Sequence, residues 1–478
     1  MKNDTNTQTR YGDPIPDNLE NICLATDAYK QTHWMQYPKG TQKIYSYLEA
    51  RGGYHSATMF FGLQYIIKKH LEGIRVTQEM INEADDFCRG VFGQNYFNRE
   101  GWEYILKKYD GRLPIRIKAV PEGTVVPVHN VLMTVENTDP KVPFITNFVE
   151  TLLMEIWYPI NVATNSYYIK KLIEGYCKKA GESLSPFHLN DFGYRGVSSK
   201  ESAAIGGLAH LVNFLGTDTL AAIEAGMKYY YSDVCGYSVF AAEHSTVTAY
   251  GRENEAKAYE SFIDNAPDDA ILSIVCDSYD TTNAVNNIFG KQLKEKILKR
   301  KGKIVLRPDS GYPPDIAREI IWSLWKNFGG TENAAGYKVL NPKVGVIYGD
   351  GIDIQMIGSI LFKVVDMGEF APSNIIFGMG GALLQQVNRD THQFAFKCSA
   401  AKINDAWQEI YKQPKTDSTK DSKCGRLTLL KTKDGYETVN DRINSPDSPD
   451  DQLVTVFENG YLLKPYTLQE VRDLAANQ

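Results

Sequence analysis

The chain has 478 residues, too many for one small core, so two packed units are expected. Hydrophobic residues make up 43% and charged residues 23%, ordinary values for a globular protein, and a net charge of −6 argues against a nucleic-acid binder, which would carry a basic surface. The seven cysteines are odd in number and show no CxxC spacing, so a disulfide framework and a structural zinc site lack support and a reducing, cytoplasmic setting fits best.

The opening stretch MKNDTNTQTRYGDPIPDN has no apolar core and no cleavage site, and does not read as a signal peptide. Up to about Asp110 short helices and strands mix. ATDAYKQTHWMQYP is a loop leading into a helix, and the alternation of KIYSYLEAR predicts a strand. From Ile115 to Glu136, period-two stretches separated by PEG and HN turn signals predict antiparallel sheet. An amphipathic helix pattern runs from Phe148 towards Lys179, interrupted near Pro159. The most apolar stretch, ITNFVETLLMEIWYPINVAT, is interrupted by Asn147, Glu150, Glu155 and Pro159 and is too broken to span a membrane.

The rhythm then changes. Strand-like FHLND, LSIVCDSYD, KIVLRPDSG, KVGVIYGDG and NIIFGMGG are each followed by a helical segment, SKESAAIGGLAHLVNFL after the first and DIAREIIWSLWKNFGG after the third among them. Alternation with short connections indicates parallel βα units. After about Asp390 the texture returns to strands and turns in FAFKCSA, GRLTLLKTKDGYETV and LVTVFENGYLL, with the polar KQPKTDSTKDSKCG as a mobile loop. The expected fold class is therefore α/β. Residues 181–384 form the catalytic βα unit, and 1–180 with 385–478 form a mixed α+β unit built from both chain ends.

The residues that end the strands carry the chemistry. Asp191, Asp218, Asp277, Asp280, Asp309 and Asp350 all fall at or just after strand ends, where parallel βα architectures place their active-site mouth. Each Asp can equally be the N-cap of the next helix. Together, with Arg195 and Arg307 beside them, they suit a hydroxyl-rich or magnesium-bound ligand. YGDG and FGMGG are turns whose backbone N–H groups can cradle a phosphate, while P-loop and Rossmann fingerprints are missing. Phe192 is either core or a stacking surface. His244 in FAAEHSTVTAYG is either a quiet helix-start residue or a reactive ring whose neighbours are kept small. A glycosidase or aldolase barrel using the same carboxylates, and a binding protein using the fold as a scaffold, are the competing readings. The phosphate turns and the lack of a strand-end lysine weigh against the first.

The segments LATDAYKQTH, DFGYRGVSS, HLVNFLGTDT, GYSVFAAEHS, DSYD, RPDSG, GDG, FGMGG and FKCS resemble, in order, the motif set of the nicotinamide phosphoribosyltransferase family, from about Asn21 to the C-terminus. The resemblance implies a type II phosphoribosyltransferase, an α/β barrel joined to a mostly antiparallel β domain, acting as a homodimer with shared sites. The implied reaction joins nicotinamide to 5-phosphoribosyl 1-pyrophosphate, with Mg²⁺ carried by the substrate phosphates and ATP hydrolysis coupled through a phosphohistidine. It further implies that the pyridine stacks between Phe192 and the other subunit's copy of Tyr29, that Asp218 accepts from the carboxamide, and that Arg195 and Arg307 lie alongside. Asp309 would contact the ribose, and Gly349, Asp350, Gly380 and Gly381 the 5′-phosphate. Arg51, Arg389, Lys397 and Lys412 would meet pyrophosphate or ATP. His244 would be phosphorylated, with Asp280 orienting it. Phe240 stands where the family usually has proline, and the loop before CGYSV is short. Nicotinate remains the alternative substrate, although its carboxylate would face Asp218 at a cost of several kcal/mol.

Overall fold

The computed structural model describes residues 21–415, 421–433, 435–440 and 448–478. The N-terminal stretch read above for a signal peptide, and residues 416–420 of the expected mobile loop, lie outside them.

The N-terminal part supplies β1 (Thr41–Ala50), β2 (Ala57–Met59), β3 (Ile115–Ala119), β4 (Val125–Pro127) and β5 (Val131–Asn137). The middle supplies β6 (Leu189–Asp191), β7 (Gly216–Thr217), β8 (Phe240–Ala241), β9 (Leu272–Val275), β10 (Ile304–Arg307), β11 (Gly330–Glu332), β12 (Lys338–Leu340), β13 (Val344–Tyr348) and β14 (Ile375–Met379). The C-terminal part adds β15 (Phe394–Ile403), β16 (Ala406–Glu409), β17 (Leu427–Thr432), β18 (Gly435–Asn440), β19 (Val454–Glu458) and β20 (Tyr461–Leu462).

Two seven-stranded sheets organise them. The first has the order β16-β15-β1-β5-β3-β19-β20, and every pairing in it is antiparallel. Its central strand β1 comes from one chain end and its neighbour β15 from the other, as expected from the return of the strand-and-turn texture. The second has the order β7-β6-β14-β13-β10-β9-β8, all parallel. Its two edges meet: Thr217 N–H donates to the Tyr237 carbonyl at 2.9 Å and Tyr237 N–H to Leu215 at 2.8 Å, just ahead of β8. The parallel sheet thus curls towards a barrel, with helices in its crossovers. Ile274, Leu306, Val346 and Phe377, one from each of four strands, are almost wholly buried.

Two expectations need correction. The helix pattern from Phe148 to Lys179 is three pieces, Ile145–Phe148, Glu150–Met154 and Trp157–Lys179. The break precedes Pro159, which sits in the first turn of the last piece, where a missing N–H costs no hydrogen bond. The segment after FGMGG forms only the four-residue helix Gly381–Leu384 before the chain turns towards β15.

Candidate active site

The C-terminal ends of the parallel strands converge, and their loops carry most of the residues singled out above. Asp191 is completely buried. It accepts the Gly193 N–H at 2.7 Å and the Thr217 hydroxyl at 3.2 Å, and burial pushes its carboxyl pKa up. Its own carbonyl takes the Asp218 N–H at 2.9 Å. Asp191 therefore ties the tips of β6 and β7 together and leaves Asp218, exposed just beyond, as the outward carboxylate. The Ser238 hydroxyl donates to Asp218 Oδ1.

Phe192 is half-buried, and two glycines explain its position. A Cβ on Gly378 would come within 1.9 Å of the Phe192 ring and one on Gly349 within 3.3 Å. The ring is seated on bare backbone of β14 and of the turn after β13. Arg195 is exposed on the turn Tyr194–Gly196, and the Gly196 backbone closely approaches Gly381. The FGMGG and DFGYRG turns therefore form one rim.

His244 opens the short helix His244–Thr248, with its side chain 42% exposed. Its Nε2 meets Asp277 Oδ1 at 3.0 Å, and Asp277 is 4% exposed. The other oxygen of Asp277 accepts the Asp309 N–H at 3.1 Å and the Ser310 hydroxyl at 2.6 Å. An ionised carboxylate only accepts, so Nε2 carries the proton and a neutral His244 keeps its lone pair on Nδ1. This corrects the expected orienting group. Asp280 is exposed and caps the following helix, accepting the Asn283 N–H at 2.9 Å. The cap pattern Asp-Thr-Thr-Asn is visible in the sequence and could have separated the two carboxylates of DSYD.

Arg307 ends β10, and its buried Nε has no hydrogen-bond partner among the described residues. Next to it, burial and then the charges of Asp350, Asp277 and Asp309 hold the Tyr348 hydroxyl up at about 12, so three carboxylates act on one spot. No group of three or more His, Cys, Asp or Glu among the described residues forms a metal cage. One or two carboxylates such as Asp309 and Asp350 fit the usual Mg²⁺ mode, in which substrate phosphates and water complete the shell.

Tyr29 and the expected phosphate ligands lie elsewhere. Tyr29, Arg51, Arg389, Lys397 and Lys412 line one cleft of about 590 Å³, together with Asp27, Glu150 and Trp157 and with none of the barrel-mouth residues. Arg51 is held by Glu49 at 2.6 Å, and Arg389 pairs with Asp390 at 3.1 Å on the surface. Burial depresses the Lys397 pKa, Glu150 opposes this, and the charges of Arg51, Lys412 and Arg389 depress it further. Three cations thus act on one half-buried lysine, an environment that favours a bound anion.

Comparison with known proteins agrees with this geometry. The family model described as nicotinate phosphoribosyltransferase (NAPRTase) family matches residues 187–461, and that for the nicotinamide phosphoribosyltransferase N-terminal domain matches 21–117. Among solved structures, nicotinate-nucleotide pyrophosphorylase from Pyrococcus furiosus superposes with TM-score 0.62 at 16% identity, covering 98% of both chains. Human nicotinic acid phosphoribosyltransferase gives 0.59 at 15%, covering 95% of this chain and 93% of its own. These place the fold among the type II phosphoribosyltransferases. The nicotinamide phosphoribosyltransferase of Xanthomonas campestris pv. campestris is 47% identical over 95% of this chain and 98% of its own, and that of Acinetobacter baylyi 36% over 96% and 97%. The chain belongs to the nicotinamide phosphoribosyltransferase family, and is accordingly a pentosyl-transferring enzyme.

Proposed function

We propose that the protein joins nicotinamide to 5-phosphoribosyl 1-pyrophosphate, giving nicotinamide mononucleotide and pyrophosphate in the salvage branch of NAD biosynthesis. It works in the cytoplasm, with residues 181–384 as the catalytic unit. The observation that carries the substrate choice is Asp218, an exposed carboxylate beside the Phe192 loop with one oxygen engaged by Ser238. Its free lone pairs suit the N–H groups of a carboxamide and repel nicotinate.

In this reading the pyridine lies against Phe192, and the ribose lies between Arg307, Asp309 and Asp350. Carbon–nitrogen bond formation passes through a cation-like ribose, which these carboxylates stabilise, so no protein nucleophile is required. Gly380 and Gly381 leave backbone open to the 5′-phosphate, with Gly349 beside them under the Phe192 ring. Mg²⁺, when bound with the substrate, supplies charge neutralisation at pyrophosphate. Coupling to ATP runs through His244: Nδ1 attacks the γ-phosphorus, the bond to the bridging oxygen breaks, ADP leaves, and water later cleaves the phosphohistidine. Asp277 keeps the ring in the required tautomer.

The arrangement is a homodimer in which the cleft of one subunit faces the barrel mouth of the other. Within one chain Tyr29 and the four cations line a cleft that contains no barrel-mouth residue. The deciding assay offers both pyridines with phosphoribosyl pyrophosphate, with and without ATP. Nicotinamide mononucleotide is the expected product, and faster formation of the nicotinate mononucleotide would refute the role given to Asp218.

A further inference from the structure

Arg389 stands on the turn Arg389–Thr391, closed by its own capping box: Asn388 Oδ1 accepts the Asp390 N–H at 2.8 Å and the Thr391 hydroxyl oxygen accepts the Asn388 N–H at 2.9 Å. What the box does not fix is how the closed turn sits on the rest of the fold. A fully buried amide spans that turn from below. Asn161, on the helix Trp157–Lys179, donates from Nδ2 to the Asn388 carbonyl at 2.8 Å, and its Oδ1 meets His392 Nδ1 at 2.5 Å. The Asn388 carbonyl can only accept, so Asn161 cannot be flipped, and His392 must carry its proton on Nδ1. His392 is likewise fully buried, and burial holds its pKa down at about 4, so the ring is neutral.

The same histidine reaches the second arginine. Its carbonyl accepts the Arg51 N–H at 3.1 Å, just where β1 ends. Two residues on, Gly53 has φ +110°, and a Cβ there would lie 2.0 Å from the Thr391 carbonyl, so the Arg51 loop rests directly on the Arg389 turn. His55 covers the pair, stacked on Tyr168 at 3.8 Å and 5.6 Å from the His392 ring. Neither Asn161 nor His392 lines the cleft, yet both arginines are tied to them.

We propose that Asn161 and His392 are positioning residues that set Arg51 and Arg389 for the phosphate-bearing substrate without touching it. The inference rests on reading the cleft as the phosphate site. It makes the affinity for phosphates depend on one buried hydrogen bond between residues 231 positions apart.

The test is calorimetric titration of inorganic pyrophosphate into the full-length protein. His392→Phe keeps the ring and removes the donor, and binding should weaken about tenfold. His392→Asn places an amide N–H where Nδ1 was, and should recover affinity to within about twofold. In turnover, His392→Phe should raise KM for phosphoribosyl pyrophosphate and leave KM for nicotinamide unchanged. If His392→Phe does not fold, Asn161→Asp takes its place, because its carboxylate repels the Asn388 carbonyl while keeping the volume, and the same loss is expected. Wild-type affinity in these variants, when Arg389→Ala binds weakly, overturns the positioning role alone. Wild-type affinity in Arg389→Ala overturns the phosphate reading of the cleft, and the positioning role with it.

Discussion

Asp277→Asn separates the two carboxylates that compete for His244. The Asp309 backbone N–H is a donor and nothing else, so the amide oxygen of the new asparagine must stay on it, at the 3.1 Å now held by the carboxylate. That turns the amide NH₂ towards His244 Nε2, now 3.0 Å away. The ring must then accept at Nε2 and carry its proton on Nδ1, which removes the lone pair that would attack phosphorus. Misplacing the proton on a catalytic imidazole in this way costs on the order of 10³- to 10⁴-fold, about 4–5 kcal/mol of barrier. The assay is ADP release, with acid-labile phosphate on the protein as a second readout. Nicotinamide mononucleotide synthesis without ATP should persist. Asp280→Asn should change ADP release less than about twofold, since asparagine is an equally good helix cap. Loss in Asp280→Asn with none in Asp277→Asn would refute the reasoning.

Gly378→Ala puts a methyl group 1.9 Å from the Phe192 ring, so the ring must leave its seat, and kcat/KM for nicotinamide should fall about tenfold or more. An unchanged value would show that the seat of Phe192 is irrelevant to substrate. Acid should destabilise the fold through two buried histidines, His210 and His392, both held at about 4 by burial, against an ordinary value of 6.5. The unfolded chain takes up these protons below about pH 6.5 and the folded chain only near pH 4, so each contributes up to about 3 kcal/mol that is lost as pH falls through that window. A melting temperature flat from pH 7 to pH 5 would contradict this. Finally, Tyr29→Ala and Asp218→Ala proteins, each inactive alone, should regain about a quarter of wild-type activity when refolded together, because a mixed dimer has one intact site. No recovery would exclude a shared site.

The parts of this fold that could be read in the sequence are those with enough residues to show a period. β9, β10, β13 and β14 are apolar runs of four or five residues, each followed by Asp or Gly and a helical pattern, and their order along the chain fixed the parallel unit. β7 and β8 have two residues each, too short for any alternation, and they exist because neighbouring strands template them. The same limit applied to DSYD. Both carboxylates end one strand, and which of them turns inward depends on where the helix cap begins, a matter of three residues. Asn161 and His392 were invisible, since nothing local relates them. Arg389 and Lys397 came from family resemblance, and the structure adds that they share a cleft with Tyr29.

The way charge is divided between the sheets has a physical reason. The barrel mouth gathers the carboxylates Asp218, Asp277, Asp309 and Asp350 around Arg195 and Arg307, while the cleft along β1 and β15 sets the cations Arg51, Arg389, Lys397 and Lys412 among Asp27, Glu150, Glu155 and Asp390. Facing one another in an empty pocket of one chain, these groups would pair off, and the substrate would have to break those pairs to enter. Held on separate sheets, the cleft cations and the mouth carboxylates do not pair with one another. At Lys397 burial and three neighbouring cations outweigh Glu150, and Arg307 Nε is buried without an acceptor among the described residues. Glu49 engages Arg51 from behind and so fixes its direction while leaving its buried terminal Nη2 unpartnered. A ligand with phosphates at one end and ribose hydroxyls at the other is the species that satisfies both halves at once.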